Sequence, residues 1–173
     1  MDIYLMGYMG SGKTTIGQRL AKHIGYDFVD YDQFIAEKEK MSISQIFETK
    51  GEIYFRKKEA HYLKEILQET NTKKIVALGG GTPCYGSNLQ DIKESGVQSI
   101  YINVPVTELT NRLWEAKSER PVIATQQSKE ELEEFVRKHL FERGFYYNQA
   151  SKVLKVQEQT EAMIVEEIVA TLF

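Results

Sequence analysis

With 173 residues, 42% of them hydrophobic and 27% charged, the chain has the size and balance of one ordinary soluble globular domain with a sizeable core. Its net charge of −3 argues against a nucleic-acid partner, and its single cysteine, Cys84, excludes an intrachain disulfide and suits a reducing compartment. No apolar run approaches the ~20 residues that span a bilayer, and no basic-then-apolar leader precedes the first strand, so a cytoplasmic protein with no membrane partner is expected.

A strand is predicted over about 2–6, from Ile3-Tyr4-Leu5-Met6. Gly7-Tyr8-Met9-Gly10-Ser11-Gly12-Lys13-Thr14 comes next, with Thr15 behind it. This fits the phosphate-loop pattern Gly-x-x-x-x-Gly-Lys-Thr in its strand–loop–helix setting. Glycines let successive N–H groups turn inward as an anion nest, and the next helix adds its positive end. Lys13 supplies charge for the outer phosphates and Thr14 a hydroxyl for Mg²⁺. That helix runs over about 13–24, with Ile16, Leu20, Ala21 and Ile24 at helical spacing and Gly25 as its stop.

Tyr26–Asp30 reads as a second strand, followed by a helix from about Asp32 to Lys40. Asp30 and Asp32 are two apart along an extended chain at the strand's C-terminal end, where open parallel sheets bind ligands. A helix cap with a solvated neighbour fits this pair, and so do carboxylates placed for Mg²⁺ and a hydroxyl substrate. A short helix carrying Ile43, Ile46 and Phe47 is predicted behind Ser42 or Ser44, and a separate one opens at Gly51 and runs to about Glu69. In the latter, Arg56 precedes Glu59 by three. A surface ion pair fits that spacing, and so does a guanidinium fork for a carboxylate ligand.

Lys74–Leu78 is a third strand with a continuous apolar run, as a buried central strand would have, and it ends in Gly79-Gly80-Gly81. Three glycines there let a ligand approach the backbone closely. A helix near 86–94, a strand over 98–104 and a helix from Pro105 carrying Leu109, Arg112, Leu113 and Trp114 come next. Residues 115–127 break the pattern, with Arg120 before Pro121 at their centre, and read as a closing lid. Arg112 and Arg120 would bring positive charge to a polyphosphate. A helix over about 128–147, a fifth strand over 152–156 and a helix over about 160–172 complete the chain. The aromatic run Phe145-Tyr146-Tyr147 reads as core packing, and His23, His61 and His139 show no ligand spacing.

Alternating strands and helices predict an α/β fold, a five-stranded parallel sheet flanked by helices, in a single domain. No Asn-Lys-x-Asp pattern supports a GTPase, and no apolar run ends in Asp-Glu as in many motor ATPases. Beyond the phosphate loop, the chain resembles the shikimate kinase family over nearly its whole length. The resemblance is carried by residues 10–17, by Asp30-Tyr31-Asp32, and by Gly51-Glu52 with Phe55-Arg56-Lys57-Lys58-Glu59. It continues through Gly79-Gly80-Gly81, Arg120-Pro121-Val122-Ile123, and Arg143 with Tyr147.

The resemblance implies a P-loop kinase fold, with a shikimate-binding region about 31–62 and a lid about 115–127. It implies transfer of the ATP γ-phosphate to the 3-hydroxyl of shikimate by a monomeric enzyme. Gly10, Ser11, Gly12, Lys13, Thr14 and Thr15 would hold the ATP phosphates, with Lys13 and Arg120 neutralising their charge. Thr14 would bind Mg²⁺ directly and Asp30 through water. Asp32 would hold the shikimate hydroxyls as the group closest to a general base, without needing a strongly raised pKa. Arg56 and Arg143 would grip the carboxylate, and Gly79, Gly80 and Gly81 would line the acceptor. Adenine would lie between Arg112 and the loop after strand five, near Gln159. Kinases of other small hydroxy acids such as gluconate, or of nucleoside monophosphates, share the fold and the loop. A nucleotide-dependent binding module is the alternative outside enzymes.

Overall fold

A computed structural model describes residues 1–69, 72–116 and 123–173. Five strands, β1 (Ile3–Met6), β2 (Asp27–Asp30), β3 (Lys74–Ala77), β4 (Gln98–Asn103) and β5 (Lys152–Lys155), form one parallel sheet in the order β2-β3-β1-β4-β5. β1 and β3 are buried at every position, whereas the edge strand β5 buries only Leu154. That gradient is what helices on both faces of a parallel sheet produce.

Among the described residues, seven helices accompany the strands: α1 (Lys13–Ile24), α2 (Tyr31–Glu39), α3 (Ile43–Gln68), α4 (Asn88–Glu94), α5 (Val106–Glu115), α6 (Lys129–Tyr147) and, after β5, α7 (Glu161–Leu172). A 3₁₀ turn, Thr82–Cys84, precedes α4. α1 lies across β1, β2 and β3 with α7 beside it, while α5 packs on α6, and α6 on the 3₁₀ turn. Ile16, Leu20 and Ala21 supply the buried side of α1, as their spacing requires. Among the described residues, no helix is long and apolar enough to cross a membrane.

The span α3 holds two helices that meet at a kink, as expected: Gly51 leaves helical geometry there at φ 84°, ψ 171°. A Ser42–Gln45 capping box starts the first of them. One boundary differs from expectation, at the start of α2. α2 begins at Tyr31 rather than Asp32, because the Asp30 side chain accepts from the Gln33 N–H and caps the helix. Asp30 and Asp32 are therefore not two extended residues with a common direction: the first caps α2 and the second sits in its first turn. The aromatic run divides as well. Phe145 is 71% exposed, whereas Tyr147 is buried.

Candidate active site

The phosphate loop leaves the C-terminal end of β1, Asp30 that of β2, the glycine run that of β3, and the Gln159 loop that of β5. One sheet edge thus collects four segments distant in sequence. They line a cleft of about 580 Å³ that contains all of Gly10 to Thr15 together with Asp30, Asp32, Gly79, Gly80, Arg112 and Gln159.

The start of α1 is bare of competing groups. α2, α3, α6 and α7 are each capped by a side chain (Asp30, Ser42, Ser128 and Thr160), but α1 has Gly12 at its cap, at φ 89°, with no side-chain bond and no acid in its first turn. An L-residue there would be strained, and an Asp or Ser would occupy the N–H groups that an anion needs. The Lys13 side chain is 9% exposed, and its ammonium donates to the carbonyls of Gly7 (2.7 Å) and Tyr8 (3.0 Å), which draws it across the loop. Arg112 donates from Nη1 to the Gly10 carbonyl at 3.1 Å while Glu108 holds its Nε at 2.9 Å. Gln159 lines the same cleft, its Oε1 accepting from the Gln157 N–H.

Thr14 Oγ1 donates to Asp30 Oδ2 at 3.1 Å. Two hard oxygen ligands thus stand together at the mouth of the nest, a donor set that suits Mg²⁺. No group of three or more His, Cys, Asp or Glu converges among the described residues. The pair therefore fits a cation that keeps several waters and takes phosphate oxygens, rather than a closed protein cage.

The other side of the site is built around the glycine run, and each glycine faces a different side chain. A Cβ on Gly79 would lie 2.7 Å from Asp32 Oδ1; on Gly80, 3.3 Å from Arg143 Nη1; on Gly81, 2.9 Å from both Nη atoms of Arg56. Asp32 is mostly buried, and its carboxyl is pushed up to about 6 by burial first, then by Asp30 and Glu59, against the pull of Lys13 and Arg56. That is higher than the mechanism alone requires.

Arg56 is not a surface partner of Glu59. Glu59 is 1% exposed; its Oε1 accepts from Arg56 Nη1 at 2.9 Å and its Oε2 from Thr82 Oγ1 at 2.9 Å. The guanidinium also stacks on Tyr85, 3.7 Å from the ring centre. Helix α3 thus delivers Arg56 to the glycine run by way of a buried carboxylate. Sequence spacing carries the i, i+3 pairing but not its burial, so the mount formed by Glu59, Thr82 and Tyr85 leaves no local signal. Replacing Glu59 by Ala leaves Arg56 and Thr82 without their shared acceptor and is expected to cost about 3 kcal/mol, measured by urea unfolding.

Arg56 also borders a second cavity of about 470 Å³ with Ile53, Tyr85 and Asn88. Neither Arg56 nor Gly81 lines the main cleft; Arg56 stands against Gly81, the residue after the lining Gly80. Arg143 approaches from α6, where the Tyr147 hydroxyl donates to the Gly80 carbonyl. The Cys84 thiol lies among Arg143, Arg56 and Glu59, and burial pushes it up to about 11, so it stays a neutral packing group. Arg120 and six of the thirteen positions of the expected 115–127 lid, residues 117–122, lie outside the described residues.

The profile of the family described as "Shikimate kinase" matches residues 9–173. A shikimate kinase from Flavobacterium johnsoniae is 44% identical over 170 residues, covering 98% of each chain. Among solved structures, shikimate kinase from Bacteroides thetaiotaomicron superposes with a TM-score of 0.89 at 28% identity, covering 99% of this chain and 98% of that one. The Acinetobacter baumannii shikimate kinase in complex with shikimate gives 0.87 at 28% identity, covering 99% and 92%. The sheet order, the phosphate loop and the three-glycine run thus coincide with full-length similarity, and the chain belongs to the shikimate kinase family.

Proposed function

We propose a division of roles among these residues in the ATP-dependent transfer of the γ-phosphate to the 3-hydroxyl of shikimate. Gly10 to Thr15, with the bare N-terminus of α1, hold the phosphates of ATP, and Lys13 turns from the loop carbonyls to the outer phosphates. Arg112 and Gln159 border the nucleotide. Thr14 and Asp30 hold Mg²⁺, the latter through water, and the bound cation supplies charge neutralisation for the polyphosphate. Asp32 orients the hydroxyl and accepts its proton late, while Arg56 and Arg143 grip the carboxylate across Gly80 and Gly81. Arg120 adds charge from the lid over 115–127, residues 31–62 form the acceptor region, and the whole chain acts as one monomeric cytoplasmic domain without nucleic-acid or membrane partners.

One observation carries this reading: Asp32, Arg143 and Arg56 each stand against a successive glycine of one run, and the first of these glycines lines the phosphate cleft. A hydroxyl-orienting acid and two guanidinium groups on one wall match an acceptor with both hydroxyls and a carboxylate. The test is ADP release with shikimate, gluconate or a nucleoside monophosphate as acceptor. Stimulation by shikimate alone is expected; stimulation by another acceptor, or none, overturns the assignment.

Arg56→Lys is expected to raise the shikimate KM about 10- to 100-fold with a smaller change in kcat, because an ammonium cannot reproduce a bidentate fork or the stack on Tyr85. An unchanged KM in steady-state assays would count against the carboxylate role.

A further inference from the structure

Tyr8 is the aromatic residue of the phosphate loop, and it is fully buried. It is fastened at both ends. Its carbonyl accepts from Lys13 Nζ, and its hydroxyl lies 3.0 Å from Nδ1 of His139 on α6, with the two rings edge to face at 5.4 Å. The hydroxyl is pushed up to about 12, mainly by burial. Burial and Arg143 hold His139 below its ordinary pKa, against Glu142 on the same helix, so its ring is neutral at pH 7 and one proton is shared between the hydroxyl and Nδ1.

His139 is one member of a stripe. Phe135, His139, Arg143 and Tyr147 occur at four-residue intervals on α6 and so lie along one face. Phe135 packs edge to face on His139, Arg143 lies 5.9 Å from the Tyr8 ring centre and against Gly80, and Tyr147 donates to the Gly80 carbonyl. A single helix face therefore touches the loop that holds the donor phosphates and the loop that lines the acceptor.

We propose that Tyr8 and His139 are positioning residues: their hydrogen bond sets the register between the transferred phosphate and the acceptor gripped by Arg143. This rests on the assignment of Arg143 to the acceptor carboxylate made above. Neither residue bonds to a reacting group. Their effect comes through alignment, which carries most of the catalysis in phosphoryl transfer and for which a misplacement of about 1 Å can cost on the order of 100-fold. A pair that merely satisfied two buried polar groups would change stability and leave turnover alone.

Tyr8→Phe removes only the hydroxyl, and His139→Leu removes its acceptor. Each is expected to lower kcat about 5- to 20-fold while the dissociation constants of ADP and shikimate change less than about twofold. The double variant should be no slower than either single one, since both break the same link. His139→Gln, which offers an acceptor again, should lie within about threefold of the unaltered protein. A normal kcat in Tyr8→Phe, or losses that multiply in the double variant, would overturn the proposal. Arg143→Lys tests the underlying assignment separately: an unchanged shikimate KM there removes the acceptor role of Arg143 and is read independently of the kcat cycle.

Discussion

Asp32→Asn is expected to lower turnover by about 100- to 10,000-fold, leave ATP affinity nearly intact, and make the ligand-free protein more stable. In the proposed roles the carboxylate orients the hydroxyl and takes its proton, and an amide cannot accept that proton. ATP affinity should persist because the loop and Lys13, the proposed phosphate site, are left unaltered. The gain in stability comes from the same carboxylate. Its pKa rises from the ordinary 3.8 to about 6 in the folded protein, so the native state binds more protons than the unfolded chain between these values. Stability contributed by the neutral acid is therefore present below about pH 4 and is lost as pH rises through 6, a cost of up to about 3 kcal/mol at neutral pH. Asparagine never ionises. Without Mg²⁺ or nucleotide, the stability advantage of Asp32→Asn should grow from near zero at pH 4 to its full size above pH 6. Urea unfolding across that range measures it; an advantage independent of pH would remove the buried charge as its cause, and near-normal turnover would remove Asp32 from the mechanism.

That trade-off is only half legible in the sequence. The phosphate loop can be read outright, because its chemistry is local: eight consecutive residues, a strand before and a helix after. The order of strands and helices is legible for the same reason, since apolar periodicity is a short-range signal. The groups that stand opposite the loop depend on burial and on contacts across many residues. Arg56 and Glu59 are visible as a spaced pair, but burial beneath Thr82 and Tyr85 is what turns them from a surface ion pair into a mount for a guanidinium. Asp32 is visible as a carboxylate beside a strand end. Its raised pKa comes from burial first and then from Asp30 and Glu59, and spacing reveals neither the burial nor the approach of Glu59. His139 shows no ligand spacing and no partner in sequence, because its partner Tyr8 lies 131 residues away. Gly51 is legible as the break between two helices, because its positive φ is a local demand that glycine meets.

The glycine run offers a way to separate the three acceptor-side groups without altering any of them. None of Gly79, Gly80 and Gly81 has the left-handed backbone that would exclude alanine, so a substitution acts through its methyl group alone. In Gly79→Ala that methyl meets Asp32 Oδ1 at 2.7 Å and Thr82 Oγ1 at 3.0 Å, and the carboxylate must move. Turnover is expected to fall about 100-fold with little change in shikimate KM, since the base is displaced and the carboxylate grip is not. In Gly81→Ala the methyl meets both Nη atoms of Arg56 at 2.9 Å and the Tyr85 ring at 3.2 Å. Arg56 has little room to yield, because Glu59 and Tyr85 hold it, so shikimate KM should rise about 10- to 100-fold with a smaller loss of kcat. Gly80→Ala brings Arg143 Nη1 at 3.3 Å, the Met9 N at 3.5 Å and the Gly7 carbonyl at 3.7 Å, none under 3.0 Å, and should be the mildest of the three. Gly79→Ala and Gly81→Ala should also lose stability, because crowding costs about 1–3 kcal/mol against the roughly 0.4–1 kcal/mol that reduced freedom of the unfolded chain returns, so the kinetics are compared where urea unfolding shows each variant folded. The decisive result is the split: kcat for position 79 and KM for position 81. If both variants lose the same parameter in the same proportion, the glycines do not address separate groups and the division of labour among Asp32, Arg143 and Arg56 fails.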